Sequence, residues 1–200
     1  MLVRLISVEG SSGHRDGAMD KNDQLSESHD PRPENGFGLL SLFVYGTLKR
    51  GYRNHDVFCQ GLLELREAQV RGRLYDGPGY PLLQVPDEDI LAQGTLRPTD
   101  DVATQARFAG QRLPCRRTVA ERAAAACWGA VHGELLTFDD AESRLPGIDR
   151  LEGFHPGGRC LYRRVLVTVV VNGACEIAWL YAVETTRRLQ HRLISGRWPA

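Results

Sequence analysis

The sequence predicts an α+β domain in which several short strands carry a few helices. Two runs rich in β-branched and aromatic residues, 161–171 and 174–183, flank Asn172-Gly173. Asn-Gly between two such runs is typical of a two-residue β-hairpin, because both turn positions require a positive φ. Helical spacing of apolar residues appears instead within 139–158. Other short runs also have the composition of strands: 41–46, 69–75, 81–85, 91–96 and 131–138.

The first 36 residues predict a flexible tail, followed by one domain over residues 37–200. Residues 11–36 are rich in Pro, Gly, Ser and charge and contain almost nothing that could be buried. Burial therefore cannot compensate for the entropy lost on ordering them. The apolar patch at the start is interrupted by Arg4 and lacks the long apolar core of a signal peptide, so we expect no secretion.

Composition excludes several classes of function. The 25 basic and 25 acidic side chains give a net charge of zero, so nothing global attracts nucleic acid or an anionic membrane. No apolar run approaches the ~20 residues of a membrane-spanning helix. The 5 cysteines form no Cys-x-x-Cys pair, so we expect neither a disulfide framework nor a zinc site. We expect a cytoplasmic protein without metal or other cofactor.

The hairpin turn predicts a register as well as a topology. Pairing of Val171 with Ala174 places Leu166 opposite Trp179 and Arg164 opposite Tyr181. One face then carries five large side chains: Tyr162, Arg164, Leu166, Trp179 and Tyr181. The opposite face is also apolar, so the hairpin belongs either in a barrel or under a helix.

Residues 98–129 form a polar segment rich in Arg and Ala, which we predict to be an insertion outside the core. Within it, Thr118 and Glu121 fit a capping box that opens a short helix ending at Gly129.

The segment 139–158 predicts a helical turn, a break and a second short helix. Pro146 fits the first position of that second helix, where its missing N–H costs nothing. Gly153 fits the residue just past the helix end, which leaves Glu152 on the last turn. The apolar stripe has a spacing of three: Leu145, Ile148 and Leu151.

Glu152 occupies an electrostatically unfavourable position, because a helix C-terminus carries partial negative charge. If the helix packs at a barrel mouth, desolvation raises the pKa of this carboxyl further. Such a carboxylate suits a general base that acts on an amine near neutral pH. From this segment alone, an exposed Glu beside a capping Gly is the simpler interpretation.

The strand at 41–46 ends in Gly-Thr and is followed by a basic turn. Because Gly46 has no Cβ, the backbone N–H groups after it can point into a cavity. Such groups bind a carboxylate or stabilise an oxyanion. On its own, the pair favours an ordinary turn at a strand end.

Taken together, the motifs resemble the γ-glutamylcyclotransferase family, AIG2-like branch, over about residues 42–198 without the 98–129 segment. A Tyr-Gly-Thr-Leu turn alone is weak evidence, but its combination with Leu-Glu-Gly and Tyr-x-Arg is specific. The stretches that carry the resemblance follow in the family's order: FVYGTLKRGYRNH, VHGELLTFDD, LPGIDRLEGF, LYRRVLV, AWLYAV and ISGRW.

The resemblance implies a small mixed β-barrel with flanking helices, and it implies the site residues. Glu152 is the implied catalytic carboxylate, and Tyr181 is implied to line the pocket. Arg164 matches the Tyr-x-Arg position and either contacts substrate or is structural. The implied pocket wall is the Tyr-Gly-Thr-Leu loop: Tyr45, Gly46, Thr47 and Leu48.

The implied reaction is an intramolecular acyl transfer in a small γ-glutamyl substrate, which closes 5-oxoproline and expels an amine. It needs no cofactor and no nucleic-acid or membrane partner. The alternative is a non-catalytic small-ligand-binding or interaction module on the same barrel, although a scaffold has no use for a poorly placed acid. The motifs specify neither the leaving amine nor the oligomeric state.

Overall fold

The computed structural model describes residues 38–111, 128–158, 160–184, 186–187 and 189–199. The strands are β1 (Leu40–Val44), β2 (Glu64–Asp76), β3 (Pro81–Gln84), β4 (Ala92–Gln93), β5 (Gly129–Phe138), β6 (Arg163–Val171) and β7 (Ala174–Ala182). Within the described residues, the helices are α1 (Arg53–Phe58), α2 (Pro98–Ala109) and α3 (Ala141–Glu152), and a 3-10 turn lies at Asp87–Asp89.

Five strands close into a barrel in the order β2-β5-β1-β7-β6, and β6 returns to β2 at the pair Val170–Gln69. β3 adds to β2 and β4 adds to β6 outside this ring. The β1–β7 pair is parallel and the others are antiparallel, so the sheet is mixed, as predicted. Each predicted strand is present, although β4 has only 2 residues.

The hairpin of β6 and β7 has the register that Asn172-Gly173 predicts. Val171 pairs with Ala174, Leu166 with Trp179, and Arg164 with Tyr181. Asn172 and Gly173 have φ values of 49° and 80°, which is the left-handed backbone that this turn requires.

Alternation along the strands separates two apolar clusters. The first contains strand residues together with buried residues of α2 and α3, so it lies on the outer, helix-covered face of the barrel. The second contains strand residues together with Tyr45 and Val85 but no helix residue, so it fills the barrel interior. Both faces of the hairpin are therefore buried, one inside the closed barrel and one under helices, so both predicted settings are observed.

Helix α3 is continuous, which corrects the predicted break at Pro146. Pro146 lies inside the helix, where its missing N–H removes one backbone hydrogen bond. Full burial of Leu145 and Ile148 on either side holds the helix together across this defect. Leu151 is 37% exposed, and the buried stripe continues through Asp149 instead.

Helix α2 is part of the core, so the prediction of a peripheral insertion is wrong for residues 98–109. Val102 is buried in the outer cluster. The side chain of Gln105 accepts the N–H of Ser41 at 2.9 Å and donates to the carbonyl of Leu39 at 3.0 Å. The polar side chain of Gln105 can be buried because β1 and the residue before it supply its hydrogen-bond partners. The composition of the segment does not reveal these partners.

Four further expectations concern the tail, the capping box, the cysteines and membrane spans. The tail at 1–36 and the capping box of Thr118 and Glu121 lie outside the described residues. Cys175 is disulfide-bonded, contrary to the expectation of no disulfide. Within the described segments, every helix is too short or too polar to cross a membrane.

The end of α3 provides a test of the fold. Gly153 has a φ of +63°, and a Cβ built there would meet no atom within 4 Å. We therefore expect Gly153→Ala to lower the free energy of unfolding by about 1 kcal/mol through backbone strain alone, and Gly153→Asn to lower it less. Gly110 caps α2 at a φ of −74°, so Gly110→Ala is the matched control and causes no loss. Urea unfolding measures all three; equal effects at both sites would contradict the assigned geometry.

Candidate active site

A cavity lies where β1, β7 and α3 end. Because β1 and β7 are parallel, their carboxyl ends share one edge of the barrel. The structure brings together at this cavity all the residues predicted for the site: Tyr45, Gly46, Thr47, Leu48, Glu152 and Tyr181. Five further residues complete the lining: Phe43, Val44, Tyr80, Pro81 and Tyr162.

The cavity is small. Its volume is about 40 Å³. Tyr80 is 37% exposed and stands where the lining meets solvent. A ligand can therefore bury only a compact group here.

The loop after β1 is held in place by α1. Asn54 Nδ2 donates to Thr47 Oγ1 at 2.9 Å, and His55 Nδ1 lies 2.9 Å from the carbonyl oxygen of Leu48. Both partners belong to α1. The loop is thus tied to a helix on the side away from its own strand, which limits its freedom to move.

Gly46 is required for a reason that differs from the predicted one. A Cβ at this position would lie 2.9 Å from Pro81 Cγ, and Pro81 lines the same cavity. Glycine therefore lets the loop approach the first residue of β3 and close the cavity wall. The backbone N–H groups of Gly46, Thr47 and Leu48 donate to no acceptor within the described residues.

Glu152 is the acidic residue of the cavity lining. Its carboxylate lines the cavity and has no hydrogen-bond or ion-pair partner among the described residues. Burial, followed by the charge of Asp149, raises the pKa of this carboxyl from 4.5 to about 7. The position at the end of α3 acts in the same direction, because the helix C-terminus repels negative charge.

A buried ion-pair network stands behind the cavity. Arg164 Nη1 donates to the two carboxylate oxygens of Asp149 at 2.6 and 2.7 Å, and its Nη2 pairs with Asp101. The Tyr181 hydroxyl also donates to Asp149, at 2.6 Å. Arg164 is fully buried and does not line the cavity. Of the two alternatives for this residue, its position therefore fits a structural role and not substrate contact.

The tyrosine hydroxyls around the cavity are committed to protein acceptors. Tyr45 donates to the carbonyl of Tyr181 at 2.7 Å, and Tyr162 donates to the carbonyl of Pro81 at 2.8 Å. Burial raises the pKa of Tyr45, Tyr162 and Tyr181, so all three stay neutral near pH 7. These rings fix the cavity walls, and Glu152 is a half-buried polar side chain among them that has no partner within the described residues.

Sequence reasoning missed two members of this arrangement. Tyr162 was placed on the same strand face as Tyr181 but not assigned to the site. Asp149 was overlooked because the stripe was counted at spacings of three. Helical spacing of three and four from Leu145 would have reached Asp149 and then Glu152.

A metal site is not evident among the described residues. Within them, no three His, Cys, Asp or Glu side chains lie close enough to hold an ion together.

Comparison with known proteins decides the family. The family model described as gamma-glutamyl cyclotransferase, AIG2-like, matches residues 42–109 and 94–200. The chain belongs to the AIG2-like gamma-glutamyl cyclotransferase family. Both matched stretches of this family include residues 98–109, in agreement with the place of α2 in the core.

The match to one curated relative covers only part of this chain. A gamma-L-glutamyl-butirosin B gamma-glutamyl cyclotransferase from Niallia circulans is 34% identical over 71 residues, which cover 32% of this chain and 46% of the relative. The chain thus spans about half the length of that curated protein.

Solved structures were also compared. YkqA from Bacillus subtilis is 22% identical, with a TM-score of 0.44, over 80% of this chain and 39% of that protein. An AIG2-like protein from Mus musculus is 21% identical, with a TM-score of 0.40, over 77% of this chain and 86% of that protein.

The raised pKa of Glu152 has a consequence for stability. The folded protein holds this proton up to about pH 7, whereas an ordinary carboxyl releases it near 4.5. As the pH rises from about 4.5 through about 7, the wild-type free energy of unfolding therefore falls relative to that of Glu152→Gln, by at most about 2–3 kcal/mol. Urea unfolding from pH 4.5 to 8.5 measures the difference. Glu142→Gln, at the exposed start of α3, is the control; a pH-independent difference for Glu152→Gln contradicts the assignment.

The network around Arg164 provides a second test. Arg164→Met leaves the carboxylates of Asp101 and Asp149 buried without their cation, so we expect a loss of about 3–5 kcal/mol in the free energy of unfolding. The triple variant that adds Asp101→Asn and Asp149→Asn removes both charges and recovers part of this loss. Urea unfolding of both variants decides; an Arg164→Met variant as stable as wild type would show that the network is not required.

Proposed function

We propose that this chain is a γ-glutamylcyclotransferase, which releases 5-oxoproline and a free amine from a small γ-glutamyl amide. The observation that carries the proposal is the Glu152 carboxylate. It lines a small cavity, lacks a partner among the described residues and has a pKa raised to about 7. A group with these properties accepts a proton from an amine near neutral pH.

The loop after β1 supplies the complementary half of the proposed site. The N–H groups of Gly46, Thr47 and Leu48, which have no acceptor among the described residues, bind the oxygen of the reacting γ-carbonyl or the substrate carboxylate. Tyr45 and Tyr181 form the walls that hold the γ-glutamyl group in a folded conformation. The leaving amine extends outward past Tyr80, because the cavity holds only a compact group.

The proposed reaction begins with a proton transfer from the α-ammonium to the Glu152 carboxylate. The freed amine attacks the γ-carbonyl carbon, the new ring C–N bond forms, and negative charge collects on the carbonyl oxygen. The ring nitrogen now holds two hydrogens and a positive charge. The bond from the carbon to the outgoing nitrogen breaks while protonated Glu152 returns a proton to that nitrogen. The ring nitrogen then gives its second proton to the regenerated Glu152 carboxylate and so to solvent, which leaves the 5-oxoproline lactam and the free amine. Because both reacting groups belong to one molecule, a rigid pocket supplies much of the rate by orientation.

The named activity of the Niallia circulans relative supports the substrate class. Its name describes a cyclotransferase that acts on a γ-glutamyl compound, and 34% identity over 71 residues links that protein to this chain. We therefore expect activity on one or more γ-glutamyl amides.

A substrate panel tests the proposal directly. The panel contains γ-glutamyl amino acids, a γ-glutamyl isopeptide of lysine and larger γ-glutamyl intermediates, with 5-oxoproline release as the readout. We expect release with at least one of them and a decline of kcat/KM below about pH 7, as Glu152 becomes protonated. If wild type releases no 5-oxoproline from any of them while binding a γ-glutamyl compound, the chain is a binding module.

Glu152→Gln tests the catalytic role. The change keeps the size of the side chain but removes its capacity to accept a proton, so we expect turnover to fall by about 10²–10⁴-fold. Binding of a glutaryl amide, which lacks the α-amine and cannot cyclise, is expected to stay within about threefold of wild type because the loop N–H groups are untouched. Glu142→Gln serves as the control on the same helix. Unchanged turnover in Glu152→Gln would remove Glu152 as the base.

A further inference from the structure

Asp149 joins α3 to the sheet through hydrogen bonds that its neighbour Glu152 does not have. It accepts from Arg164 at 2.6 and 2.7 Å and from the Tyr181 hydroxyl at 2.6 Å. These are short, charge-assisted bonds, and they oppose the effect of burial, which raises the pKa of this carboxyl. Pairing with Arg164 favours the ionised form of Asp149 and fixes its carboxylate, whereas the carboxylate of Glu152 has no partner among the described residues.

The two carboxyl groups share one face of α3. Residues spaced by three on a helix have side chains about 5–6 Å apart at Cβ, and Asp149 is three positions before Glu152. Asp149 points to the buried side of the helix together with Leu145 and Ile148. Its charge thus acts on Glu152 through the protein interior, where solvent screens it little.

The other groups that face Glu152 are neutral. The other titratable side chains of the cavity lining are four tyrosines, which lie just after β1, just before β3, just before β6 and in β7: Tyr45, Tyr80, Tyr162 and Tyr181. Arg164 directs its charge to Asp149, to Asp101 and to the carbonyl of Thr95. Among the described residues, the charge that acts on Glu152 is therefore that of Asp149.

We propose that Asp149 is a positioning residue for Glu152: held by Arg164 and Tyr181, it fixes the last turn of α3 at the cavity and makes Glu152 a stronger base. The effect of Asp149 on the position and protonation of Glu152 does not depend on the proposed cyclotransferase function. Only its consequence for catalysis rests on that function. Asp149 itself does not line the cavity and contacts no substrate. Its like charge disfavours ionised Glu152, so Glu152 takes a proton from an ammonium group more readily.

The test compares Asp149→Asn with Asp101→Asn. Each variant removes one carboxylate from the same buried arginine, so both lose stability. In Asp149→Asn, we expect the protonation midpoint of Glu152 to move to lower pH by about one pH unit. In Asp101→Asn, which lies on α2 and away from the cavity lining, we expect a shift of at most a few tenths.

The direct readout is the ¹³C NMR titration of the Glu152 carboxyl in protein labelled at glutamate Cδ. The resonance is assigned as the one that Glu152→Gln lacks. This measurement needs no turnover, so it separates the role of Asp149 from the proposed function. Where 5-oxoproline is released, the acid limb of the kcat/KM profile is expected to follow the same shift. No shift in Asp149→Asn, or equal shifts in the two variants, overturns the proposal.

If Asp149→Asn does not fold, Tyr181→Phe decides by the same titration. This change removes one hydroxyl and leaves the negative charge of Asp149 with one donor fewer to balance it. We then expect the midpoint of Glu152 to move to higher pH, opposite to the effect of removing the charge. A midpoint that stays in place or falls in Tyr181→Phe overturns the proposal.

Discussion

The buried guanidinium of Arg164 is the constraint around which this end of the molecule is organised. It reaches from β6 to Asp149 of α3, to Asp101 of α2 and to the carbonyl of Thr95. Taking these charges out of water costs free energy, and only nearly complete pairing offsets that cost. The chain provides the pairing by packing two helices and the segment after β4 against one strand. Gly94 belongs to the same solution, because a Cβ there would lie 2.7 Å from Arg164 Nε.

The cavity follows from this arrangement. Asp149 anchors the end of α3 to the face of the hairpin, and the parallel pairing of β1 with β7 brings the end of β1 to the same edge. Glu152 then stands next to the loop after β1. Burial, the charge of Asp149 and the helix C-terminus all act against ionisation of Glu152. An acidic side chain thus lies where its ionised form is disfavoured, in a region that the Arg164 network holds rigid. This combination is typical of functional sites.

Local signals in the sequence predicted those features that depend on few residues. Asn172-Gly173 determined the register of the hairpin, because that turn tolerates no other pairing, and Gly153 marked the end of α3 through its left-handed backbone. The loop from Tyr45 to Leu48 and Glu152 were found by the resemblance of their motifs to one family, and the structure places them at one cavity.

Features that depend on distant partners were not predictable in this way. The sequence of α2 is typical of a polar surface segment. Its burial depends on the ion pair between Asp101 and Arg164, which are 63 residues apart in the chain. Pro146 predicts the start of a helix from local sequence. The helix instead continues through it because Leu145 and Ile148 are buried on either side. In both cases the decisive contribution is tertiary, and the local pattern of the segment points the other way.

Groups of the site divide into those that have hydrogen-bond partners and those that have none among the described residues. The hydroxyls of Tyr45, Tyr162 and Tyr181 all donate to protein acceptors, so they have little freedom to reorient toward a ligand. Glu152 and the loop N–H groups are left without partners among the described residues. An intramolecular cyclisation needs this combination, because its rate depends on how firmly one conformation of the substrate is held. In the proposed reaction, rigid walls select that conformation and the carboxylate of Glu152 moves the proton.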